Sequence, residues 1–108
     1  MNLKRLMVGY KISDSNNSLE AIRNTRFNKI TEDMLKASGV YDLIMDYFPR
    51  AYICDLRGGG IAFNLTRYNN DWFFQKNQEF VDKMDNMLGD NWGIADVDGK
   101  FLMTFGIG

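Results

Sequence analysis

The chain has 108 residues, of which 45% are hydrophobic and 25% charged, and its net charge is −1. That length accommodates one hydrophobic core rather than two, and that composition excludes a disordered chain, so residues 1–108 are expected to form a single domain. The near-zero charge disfavours nucleic acid as a partner, because its binders depend on a large positive field.

In chain order, Leu6, Val8, Tyr10 and Ile12 alternate with Arg5, Gly9 and Lys11, the period-two pattern of a half-buried strand. The polar run Ser13–Asn17 is a loop, and Asn17 with Glu20 three residues later has the form of a capping box that opens a helix near Ser18. Leu19, Ile22, Phe27 and Ile30 share one helical stripe, but Arg23 and Arg26 fall within it. Those two arginines either lay their stems over the core edge, pair with carboxylates or face a partner, which makes them candidate interface residues. Phe27, Ile30, Met34 and Ala37 form a cleaner face, Gly39 breaks the helix, and a second one carries Val40, Leu43, Ile44, Tyr47 and Phe48 before Pro49.

Beyond Pro49 the hydrophobic period changes to two. Segments 51–56 and 61–68, joined by Arg57-Gly58-Gly59-Gly60, predict an antiparallel hairpin, and Trp72-Phe73-Phe74 predicts a third strand after the Asn69-Asn70-Asp71 turn. Asn77 is placed to cap a helix whose one side bears Phe80, Val81, Met84, Met87 and Leu88, closed by Gly89. Asp98-Gly99 between 92–97 and 100–107 is a strong hairpin signal. The expected fold is therefore α+β, an antiparallel sheet of about five to six strands built from hairpins with helices packed on one face.

The chain contains no histidine, which removes the imidazole-based nucleophile and general-base constellations and the ordinary zinc sites, so no catalytic residue is expected. Asp90, Asp96 and Asp98 hint at a calcium loop, but Ile94 stands where an oxygen ligand is required and no glutamate follows; no metal and no cofactor are expected. Cys54 is the only cysteine, so no internal disulfide forms, and a reducing, cytoplasmic setting fits it. No stretch approaches the roughly 18 uninterrupted apolar residues of a membrane span, and the N-terminal apolar run is too short for an export signal. The Asn64-Leu65-Thr66 glycosylation pattern then has no opportunity to act.

Two constellations carry functional expectations. Arg57-Gly58-Gly59-Gly60 could cradle an anion, with backbone N–H groups around a phosphate and Arg57 as a forked donor, so a nucleotide or another anion is one expected ligand; a plain turn needs the same glycines. Trp72-Phe73-Phe74 places Phe73 opposite Trp72 and Phe74, so an aromatic reaches an open surface unless both faces of the sheet are covered. Residues 1–29 hold six cations against two carboxylates, a net +4 that leaves −5 on the remainder and could orient a partner or a second copy. The favoured expectation is a non-catalytic protein-binding regulator or inhibitor, working on a protein partner or as a homo-oligomer. Compact chains of this general type include viral and mobile-element products that block a host or defence enzyme. The alternative is a binder of small phosphorylated ligands, or a carboxylate-dependent enzyme, using the Arg57–Gly60 loop.

Overall fold

A computed structural model describes residues 18–68 and 77–108. The expected strand at 6–12, the Asn17 cap and the Trp72-Phe73-Phe74 strand all lie outside those residues. Within them the order is helix α1 (18–24), a 3-10 turn (Phe27–Lys29), α2 (Glu32–Ser38), α3 (Val40–Tyr47), β1 (Tyr52–Asp55), β2 (Ile61–Asn64), α4 (Gln78–Leu88), β3 (Trp92–Val97) and β4 (Lys100–Phe105). The four strands form one antiparallel sheet in the order β1-β2-β4-β3. The α+β class is as expected; the described sheet has four strands rather than five to six.

Both predicted hairpins form, one with Cys54 opposite Ala62 and the other with Ile94 opposite Met103. The first is shorter than its apolar pattern suggests, because β2 stops at Asn64 instead of running to Tyr68. The Asn64 side chain accepts a hydrogen bond from the Thr66 N–H at 2.9 Å, and the Tyr68 N–H donates to the Leu65 carbonyl at 2.7 Å. A side chain that satisfies the backbone two residues on turns the chain away from the ladder.

The helical region from 18 to 48 breaks in an unpredicted place. Arg26 and Ile30 are both extended, and between them only a single 3-10 turn is made. The cause is the C-terminal segment: Phe27 N–H donates to the Ile107 carbonyl and Ile107 N–H to the Thr25 carbonyl, both at 2.8 Å, a short parallel bridge that takes these groups from the helix. The expected face of Phe27, Ile30, Met34 and Ala37 is consequently buried only in part: Ile30 is buried and Met34 packs against the core, but Phe27 and Ala37 are exposed, and α2 buries Leu35 and Ser38. Thr31, which opens α2, accepts from the Met34 N–H at 3.2 Å, and Gly39 at φ +88° ends α2 and begins α3.

One face of the sheet carries the core. Phe63, Phe101, Met103 and Phe105 point to it at period two and meet Ile22, Leu35, Val40, Ile44, Phe48, Phe80, Met84 and Leu88 of the helical layer. Aromatic edges fix the contact: Phe48 meets Phe80 with centroids 5.0 Å apart and Phe80 meets Trp92 at 6.2 Å, both nearly perpendicular. Among the described residues the helices pack on one face of the sheet; on the opposite face Ala62, Asn64 and Leu102 are buried and Ala95 and Val97 are exposed.

Candidate functional site

The two hairpin turns and the face of the sheet opposite the described helices border a groove. Because paired residues point the same way across a sheet, Gly93, Ala95, Val97, Leu102 and Thr104 lie on the face opposite the core, with Cys54, Ala62 and Asn64 on the neighbouring strands. One cavity of about 460 Å³ is lined mainly by apolar groups, among them Phe27, Leu56, Trp92, Ala95, Val97 and Leu102. A second, of about 530 Å³, is lined by Asp55, Leu56, Arg57, Val97, Asp98, Lys100 and Leu102. Leu56, Val97 and Leu102 line both, so the cavities are two parts of one open groove with an apolar end and a charged end.

At the apolar end Val97 is 47% exposed and Phe27 38%, with Ile107 exposed beside the terminal bridge. At the charged end Asp55 and Arg57 come from the turn that follows β1, and Asp98 and Lys100 flank the tip of the β3–β4 hairpin. All four side chains are exposed, and the ion pairs among the described residues, Arg23 with Glu20 and Lys36 with Glu32, involve none of them. Cys54 is half-buried near this end: burial pushes its thiol up, Lys100 pulls it down and Asp55 pushes it up again. The two charges from opposite walls therefore act on the same sulfur.

The glycine loop is built for docking within the fold. Gly59 and Gly60 have φ of +101° and +81°, and a side chain on Gly60 would overlap the Phe27 carbonyl oxygen and stand 2.9 Å from Asn28 Cα. Gly59 would place its Cβ 3.0 Å from the Asn28 carbonyl oxygen, whereas a Cβ on Gly58 meets nothing within 4 Å. The Gly59 N–H donates to the Leu56 carbonyl and the Leu56 N–H to the Gly60 carbonyl, each at 3.0 Å, so one of the loop's amides is spent inside the turn. Of Arg57, Gly58, Gly59 and Gly60, it is Arg57 that lines the groove.

The other expected site residues are placed as follows. Arg23 donates from Nε to the Met87 carbonyl at 2.9 Å, with Nη2 on the same oxygen, and so satisfies a carbonyl in the last turn of α4. Arg26 is exposed next to the Ile107 bridge. Trp72, Phe73 and Phe74 fall outside the described residues. The sequence reading missed Lys100, Asp55 and Val97 as groove residues, since alternation places each on a strand face without showing what stands across from it. Asp98, read above as a turn residue and weighed as a metal ligand, is also a rim charge here; among the described residues no group of three acidic or cysteine side chains is placed to hold a metal ion. No helix among them is long and apolar enough to cross a membrane.

No family model, no curated protein and no solved structure matches this chain.

Proposed function

We propose that this chain is a non-catalytic protein-binding module, a regulator or inhibitor, that receives a segment of a protein partner in the groove on the face of its sheet opposite the described helices. The observation that carries this reading is the composition of the groove: an apolar floor with exposed Val97, rimmed by four exposed charges that have no ion-pair partner among the described residues. Apolar surface left open beside polar rim groups marks interaction sites, and uncommitted rim charges of both signs select orientation more than they add affinity. A reducing, cytoplasmic setting suits the lone half-buried thiol.

The small-anion alternative retains Arg57 and Lys100 as cations, but Asp55 and Asp98 line the same cavity and offset their field. A displayed library of random peptides tests the proposal directly. Peptides selected on the wild-type chain should bind an Asn86→Glu variant, altered on the exposed side of α4, unchanged, and lose about ten-fold or more toward Val97→Glu. Equal binding to both variants would place the interface elsewhere. Calorimetric heat with a nucleotide that vanishes in Arg57→Ala would transfer the function to the anion reading.

A further inference from the structure

Resting on that reading of the groove, we propose that its occupant is a second copy of this chain, the β3–β4 hairpin tip of each copy lying in the charged end of the other's groove about a two-fold axis. The argument begins with the arrangement of signs. Among the described residues, one wall presents Asp55 and Arg57 and the other Asp98 and Lys100, so each wall carries one charge of each sign. A partner surface of a single sign would meet a like charge at either wall. A two-fold operation brings each wall against the partner's opposite wall, so that Asp55 meets the partner's Lys100 and Arg57 meets the partner's Asp98, and each pairing occurs twice. The patch is complementary to itself.

The apolar contribution follows the same symmetry. Val97 precedes the hairpin tip, is 47% exposed, and lines the groove together with Leu56 and Leu102, so a tip inserted from the partner brings its Val97 onto this floor. A standard interface of about 800 Å² per partner would take roughly one-ninth of the 7108 Å² surface of the chain. With the charges at the rim, the expected association is weak, in roughly the tens-of-micromolar range.

Sedimentation velocity on the full chain over roughly 5–500 µM should show a reversible monomer–dimer equilibrium that weakens with added salt. Asp55→Lys and Lys100→Glu, both at exposed strand ends where no special backbone conformation is required, should each weaken self-association about ten-fold or more by placing like charges together twice. Reversal at Asp98 is avoided because its φ of +52° favours Asp, Asn or Gly. An equimolar mixture of the two variants should regain dimer at near wild-type strength, as a heterodimer seen by native mass spectrometry, since a lysine at 55 then faces a glutamate at 100 and the original pair is also restored. Thermal unfolding of each variant, matched to wild type, shows that the change is one of association. A wild type that stays monomeric throughout, or a mixture no better than the separate variants, overturns the proposal. Peptides that still require Val97 on a monomeric wild type would leave the groove reading standing and reject only the second copy.

Discussion

Three successive glycines in one turn should respond to alanine in three different ways. Gly58 has open space and no left-handed backbone, so Gly58→Ala should change stability by no more than about 0.5 kcal/mol, or raise it slightly by restricting the unfolded chain. Gly59→Ala must hold φ at +101° and press on the Asn28 carbonyl, a combined cost of about 2 kcal/mol. Gly60→Ala meets backbone atoms of both Phe27 and Asn28, which cannot swing aside as a flexible side chain would. The left-handed backbone costs about 1–2 kcal/mol and the overlap another 1–3 or so, giving about 3 kcal/mol or more for the turn to lift off the 3-10 segment. At about 4–8 °C per kcal/mol for a domain near this size, Gly60→Ala should melt on the order of 15 °C below wild type and Gly58→Ala within a few degrees of it. Circular dichroism melts and urea titrations on the three variants provide the measurement. Equal, small effects at 58, 59 and 60 would mean that the turn does not rest on residues 27–28, and the glycines would revert to a free loop open to anions.

Arg23→Ala should cost about 1–2 kcal/mol by leaving the Met87 carbonyl without its donors, and Arg23→Lys should recover only part of it because a lysine cannot reproduce the fork; no change in a urea titration would refute the capping role. Cys54 should react with iodoacetamide more slowly than the same thiol in the denatured chain, since burial raises its pKa and leaves less thiolate at a given pH. At concentrations where the chain is monomeric, Lys100→Glu should slow the reaction further and shift its pH profile upward, and Asp55→Lys should speed it and shift the profile downward; the reverse order would place those charges away from the thiol.

Much of the fold was legible along the chain. The β1–β2 and β3–β4 hairpins followed from period-two segments around glycine turns, and α4 from Phe80, Met84 and Leu88 at helical spacing, the side it buries. These signals are local: alternation, a turn that needs positive φ, and a stripe three or four residues apart are contained within a dozen positions. The Thr31 cap before Glu32 and Asp33 is an equally local signal, which the division of residues 18–48 into two or three helical pieces does not use.

What the sequence by itself determined is therefore the type of each of these elements and the class they build, because hydrophobic period and turn chemistry act between near neighbours. Tertiary structure decided the rest. The helix breaks at residues 25–30 because Ile107 takes its backbone partners, Arg23 is fixed by a carbonyl 64 positions away, and Gly60 must be glycine because residue 27 lies against it. The groove joins residues 55–57, after β1, to residues 97–102, around the β3–β4 tip, although the pairing register sets the two turns at opposite ends of the sheet. Contacts of that kind depend on how distant segments share one core, and no pattern confined to either segment encodes them.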